Sequence, residues 1–120
     1  MKHEEDKIIV FDRAELIFVF NFHPIKSFPD YTIGVKSAGT YKILLCSDDK
    51  NFGGENRVDT NIQHFTKPES FSDYSNSMMI YIPCRTAIIY IREVIYYVII
   101  LIFKNLIIFK KNGYDISDDF

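Results

Sequence analysis

Residues 15–22 read ELIFVFNF, and the alternation in this octet decides the fold. In a strand, Leu16, Phe18, Phe20 and Phe22 point to one face, while Ile17, Val19 and Asn21 point to the other. Both sets are largely apolar, which predicts a central strand covered on both sides. Outward from it, short runs rich in Ile, Val, Phe, Tyr and Thr predict further strands over 8–12, 31–36, 40–46, 77–82 and 85–91. Tyr31, Ile33 and Val35, then Tyr41, Ile43 and Leu45, give the alternation of strands with one buried face. Between them, residues 36–40 (KSAGT) predict a short hairpin turn, with Gly39 available for positive φ. No segment before residue 92 repeats apolar residues with helical spacing. The expected fold is all-β, an antiparallel two-sheet β-sandwich.

At 120 residues the chain is one domain at most, large enough to bury a core without disulfide or metal staples. A net charge of -2 with scattered lysines argues against a nucleic-acid partner, which needs a clustered basic surface. Cys46 and Cys84 each end an apolar run and are read as small buried thiols in a reducing compartment. The absence of an Asn-x-Ser/Thr acceptor fits a cytoplasmic location, and the polar start MKHEEDK is not a signal peptide.

From 48 to 76 the chain is polar and irregular, with Val58, Ile62, Phe65 and Phe71 as expected anchors. Its first part, SDDKNFGGENRVD at 47–59, holds four carboxylates, an arginine and a Gly-Gly pair. Counted from Asp48 as an EF-hand loop, Lys50 and Phe52 fall where oxygen ligands belong, so calcium is rejected. Gly53-Gly54 lacks the rest of a phosphate-binding P-loop. His3, His23 and His64 stand far apart and neither cysteine belongs to a CxxC pair, so a transition-metal site finds no support. Asp48, Asp49 and Asp59 could be imagined as paired catalytic carboxylates, but adjacent aspartates are more often solvated turn residues. The candidates left are structural: Asn21 and His23 satisfy backbone groups at a strand end, and Gly53 and Gly54 allow tight turning. Arg57 pairs with an aspartate such as Asp48 or Asp59.

The tail is different in kind. Residues 94–112 draw 15 of their 19 positions from Ile, Tyr, Phe, Lys and Asn. Those five amino acids have codons built from A and T alone, so the leading reading is translated non-coding DNA after about residue 92. An extra strand or helix and a membrane anchor are the alternatives. The longest uncharged run is ten residues, short of the roughly 20 that a bilayer needs, so a membrane partner is not expected.

Taken in order, DKIIVFDRAELIFVFNFHP, DYTIGV, GTYKILLCSDD, FGGENRVD and YIPCRTAIIYI carry a resemblance from about residue 2 to 91. They resemble the C-terminal all-β domain of eukaryotic 1,4-α-glucan branching enzymes, members of the α-amylase family. The resemblance implies an enzyme that moves an α-1,4-glucan segment to a 6-hydroxyl, making α-1,6 branches in glycogen or starch. It implies no cofactor, and catalytic carboxylates that sit in a (β/α)₈ barrel, which typically takes about 250 residues. No position here matches those carboxylates, so the expectation is a catalytically silent domain over 1–92 that braces its barrel, followed by an unrelated tail over 93–120. Met1 then falls where a longer enzyme is already well advanced. Asn21, His23, Asp48, Asp49, Phe52, Gly53, Gly54, Arg57 and Asp59 are its candidate loop-structuring or interdomain residues. Cys84 stands where Ser is usual, and Thr60-Asn61 replaces a segment that usually contains His. The alternatives are a stand-alone glucan-binding domain, with Phe52, Phe71 and Tyr74 as stacking rings, and a small membrane-associated protein.

Overall fold

The structure, a computed structural model, describes residues 2–112. Its strands are β1 (Lys2–His3), β2 (Ile8–Arg13), β3 (Leu16–Asn21), β4 (Phe28–Val35), β5 (Thr40–Cys46), β6 (His64–Phe65), β7 (Asn76–Ile82) and β8 (Thr86–Arg92). A helix, α1 (Glu93–Lys111), follows β8 without a break. Six strands form one antiparallel sheet in the order β1-β2-β3-β8-β5-β6, and β4 pairs with β7 in a second sheet. This is the expected two-sheet, all-β architecture.

The core lies between the sheets. Ile8, Val10, Ile17, Val19, Ile43, Ile88 and Tyr90 of the larger sheet are buried against Ile33, Val35, Met78, Ile80 and Ile82 of the smaller. Register places Val10, Val19 and Ile88 side by side across three strands. Each such aliphatic side chain contributes about 1.5–3 kcal/mol by leaving water.

β3 lies between β2 and β8, as a central strand should, but it is covered on one face only. Ile17, Val19 and Asn21 are buried, whereas Leu16, Phe18 and Phe20 remain partly open. Phe18 and Phe20 face away from the second sheet, with Phe11 and Phe22 beside them, so their apolar character reflects an uncovered face and not a second core.

The connection from β4 to β5 is not a hairpin. β4 pairs with β7 while β5 pairs with β8 and β6, so 36–39 carries the chain from one sheet to the other. A four-residue link suits either connection, and only the partners of the strands distinguish them. Of the four expected loop anchors, only Val58 packs on the core, and Ile62, Phe65 and Phe71 are exposed. The loop is held by polar groups instead.

The tail forms a helix, with Glu93 in its first turn and Lys110 and Lys111 in its last, each at the end whose dipole favours it. None of its side chains is buried. The remainder of the expected tail, 113–120, lies outside the described residues.

Candidate functional site

Two of the sequence-derived candidates, Asn21 and Arg57, reach one short stretch, the turn at 83–85 that carries the chain from the small sheet to the large one. Its backbone polar groups are met by side chains from four places. Asn21, buried at the end of β3, directs its Nδ2 at the carbonyls of Ile82 (3.3 Å), Pro83 (3.2 Å) and Lys26 (3.0 Å). Its Oδ1 accepts from the His23 N–H at 2.9 Å. His23 Nδ1 accepts from the N–H groups of Ile25 (3.2 Å) and Lys26 (2.9 Å), so that nitrogen is the unprotonated one. Together the two residues shape 22–26 and lash it to the turn. Ser27 Oγ, just beyond, accepts from the Cys84 N–H at 2.9 Å.

Arg57 holds the turn from the other side. Its Nη2 donates to the Cys84 carbonyl at 3.1 Å and its Nη1 to Cys84 Sγ at 3.4 Å. Thr86 Oγ1 donates to the same carbonyl at 3.0 Å. The guanidinium is aimed by Asp48, which is 4% exposed. Arg57 Nη2 lies 2.9 Å from Asp48 Oδ1, and Arg57 Nε lies 3.2 Å from Oδ2. Asp48 also accepts the backbone N–H groups of Arg57 (2.7 Å) and Glu55 (3.2 Å). Arg57 therefore pairs with Asp48 and not with Asp59, and Glu55 Oε2 adds a second carboxylate at 3.3 Å. Burial pushes the Asp48 carboxyl up. The Arg57 guanidinium and the two N–H groups outweigh that and hold it below the usual carboxylate range. The hydrogen bond to Asp48 in turn raises Arg57.

The rest of the loop serves that pair. Asp49 caps a 3₁₀ turn at Lys50–Phe52 by accepting the Asn51 N–H at 2.8 Å. Gly53 closes the turn at φ 79°, in the left-handed region that favours glycine. Gly54 lies so close to the Asp48 backbone that a Cβ there would sit 2.1 Å from the Asp48 carbonyl oxygen. Asp59 accepts the Asn61 N–H at 3.0 Å in a local turn. Phe52 is exposed and takes no part in the clamp.

Chemically, this arrangement holds backbone in place. Asp48 is ionised, buried and fully engaged, so it is unsuited to deliver or accept a proton. Among the described residues no group of three or more His, Cys, Asp or Glu could hold a metal ion. Both cysteines are free. Arg57 lowers the Cys84 thiol, while burial raises Cys46.

A second feature is the open apolar face of the large sheet, on the side of β3 away from the core. Phe11 and Phe18 stack at 4.9 Å, Phe11 and Phe20 at 5.9 Å, and Phe20 and Phe22 at 5.7 Å, forming a four-ring stripe on the outer face of the large sheet. Phe11 is 41% and Phe22 58% exposed. A cleft of about 270 Å³ runs from Phe20 and Phe22 past Ser47 to Arg85 and Thr86, so the stripe and the clamp share an edge. The signal was present in the alternation at 16–22, but a row of phenylalanines reads the same whether covered or open.

Residues 1–93 match the family model described as alpha amylase, C-terminal all-beta domain. The chain is 48% identical over 88 residues to a 1,4-alpha-glucan-branching enzyme of Emericella nidulans, a stretch that is 73% of this chain and 13% of the relative. It is 50% identical over 93 residues to the protein of that name from Candida glabrata, covering 78% of this chain and 13% of the relative. For the Dictyostelium discoideum protein of that name the figures are 51% over 89 residues, 74% and 13%. The chain thus spans about an eighth of the length of these relatives.

Proposed function

Because the chain belongs to the alpha amylase C-terminal all-beta domain family, we propose that it acts as the non-catalytic β-domain of a 1,4-α-glucan branching enzyme. In that role it braces the catalytic barrel while the barrel moves an α-1,4-glucan segment to a 6-hydroxyl. The observation that carries this reading is the outer aromatic stripe. A continuous, partly exposed apolar row on one sheet face is the form of an interdomain contact. The clamp at 83–85 keeps the two sheets in register beneath that face. Glycogen or a starch-like glucan is then met through the whole enzyme. A cytoplasmic location fits the two free thiols.

The reading assigns no chemistry to this chain by itself. Purified chain incubated with amylose should leave the iodine absorbance unchanged over a period in which a complete branching enzyme lowers it. A fall that depends on the chain would overturn the proposal.

A further inference from the structure

The turn at 83–85 ends in Arg85, whose φ of 54° lies in the left-handed region that favours glycine. The backbone leading to it is bonded on both sides, by Asn21 at Pro83 and by Ser27, Arg57 and Thr86 at Cys84. Its side chain therefore leaves from a fixed point, at the cleft that holds Phe20 and Phe22. Arg85 is exposed, and among the described residues it is the only charged one lining that cleft. Asp48 and Glu55 are taken by Arg57 and Glu15 by Arg92, and among the described residues no carboxylate pairs with Arg85. Its described contact is a weak one, to the Cys84 thiol, which Arg57 lowers more than Arg85 does.

Glycine would meet the conformation of the turn at lower cost, so the turn alone does not account for an arginine there. The polar side chains around it add donors to the cleft. Ser47 Oγ accepts the Ala87 N–H at 2.8 Å, which leaves its own O–H to donate. Asn21 spends its Nδ2 on three backbone carbonyls, and Thr86 Oγ1 its proton on the Cys84 carbonyl. Two aromatic rings with a guanidinium beside them and no acid in the lining complement an apolar surface that carries a carboxylate. We propose that Arg85 is the polar anchor of the contact with the catalytic neighbour, receiving an aspartate or glutamate side chain of that domain beside Phe20 and Phe22. The proposal rests on the barrel-bracing role and names the chemistry of the partner's surface. A fixed backbone lowers the ordering cost of such a pair, and arginine, unlike lysine, grips a carboxylate through two N–H groups at once.

The test places residues 1–93 in the Candida glabrata relative in exchange for its matching domain and reads amylose branching by iodine absorbance. Arg85→Glu should lower the rate of that chimera at least ~10-fold, and Arg85→Lys should lower it less. Arg85→Gly should lower the rate too, while leaving the melting temperature of the chain unchanged or higher, because glycine suits the φ of 54°. A carbodiimide joins an amine to a carboxylate in direct contact. In the Arg85→Lys chimera it should link position 85 to an aspartate or glutamate of the barrel, read by mass spectrometry of the digest. An active chimera indifferent to Arg85→Glu, or one without that link, would overturn the inference and leave the barrel-bracing role standing. Parallel losses of rate and stability in Arg85→Gly would assign Arg85 to folding alone and also overturn it. A chimera no more active than the enzyme truncated before the domain would overturn both.

Discussion

Arg57→Ala should destabilise the chain by about 3 kcal/mol, read as a lowered urea midpoint and a melting temperature reduced by roughly 10 °C or more. The loss exceeds that of an ordinary ion pair because of what remains. Asp48 is 4% exposed, and without the guanidinium its charge is buried with only two backbone N–H partners. The Cys84 carbonyl loses one of its two side-chain donors in the same step. Arg57 is itself about a quarter exposed, which places the cost at the lower end of the range for broken buried pairs. Arg57→Lys should recover less than half, since an ammonium cannot span the carboxylate and the turn carbonyl together. Adding Asp48→Asn to Arg57→Ala should recover part of the loss, because the unpaired carboxylate is the costly species. A double variant less stable than Arg57→Ala would contradict this.

The same pair sets an acid limit. The folded Asp48 carboxyl is held below its unfolded value of about 3.9. Its contribution is therefore fully present above that value and lost as pH falls through the lower, folded one. The wild-type urea midpoint should decline below about pH 4, and Arg57→Ala should flatten the part of that decline that Asp48 supplies.

Gly54→Ala should be comparably damaging, about 3 kcal/mol, by a different route. The added Cβ would meet the carbonyl oxygen, carbonyl carbon and Cα of Asp48 at 2.1, 2.2 and 2.4 Å. These are backbone atoms, so no rotamer change relieves the overlap and the loop must shift. That shift would carry Asp48 away from Arg57, which couples the two predictions. Gly53→Ala makes the natural comparison. A Cβ there meets nothing within 4 Å, and its cost is the φ of 79° alone, about 1 kcal/mol. Chemical denaturation of the pair measures the difference, and equal losses would contradict the proposed close approach at Gly54.

How far the fold was legible follows from these residues. Alternation located β2, β3, β4, β5, β7 and β8 within a few residues because each has a face on the core. β1 and β6 are two-residue ladders with no apolar pattern, and nothing local marks them. Within SDDKNFGGENRVD the turn role of the glycines and the need of Arg57 for a carboxylate were visible. Choosing Asp48 over Asp59 required the closed loop, in which Asp48 turns inward and Asp59 stays in its own turn. The share of Cys84 in the clamp lies 27 residues from Arg57 and has no sequence signal. The outer stripe is legible as a row of apolar residues, but whether this chain itself covers it is not, since hydrophobicity reports a preference for burial and not whether a partner is at hand. For the tail, composition described the amino acids without fixing a conformation, and the structure forms a helix over Glu93–Lys111.

The proposed role rests on the outer face engaging a catalytic neighbour, and a domain exchange measures that directly. Residues 1–93 replace the matching domain in the Candida glabrata relative, and amylose branching is followed by iodine absorbance. The chimera should branch amylose well above the same enzyme truncated before that domain. Phe11→Asp with Phe22→Asp, on the two most open rings of the stripe, should lower its rate at least ~10-fold while its β-domain stays folded. A chimera no more active than the truncated enzyme, or one indifferent to both substitutions, would contradict the account.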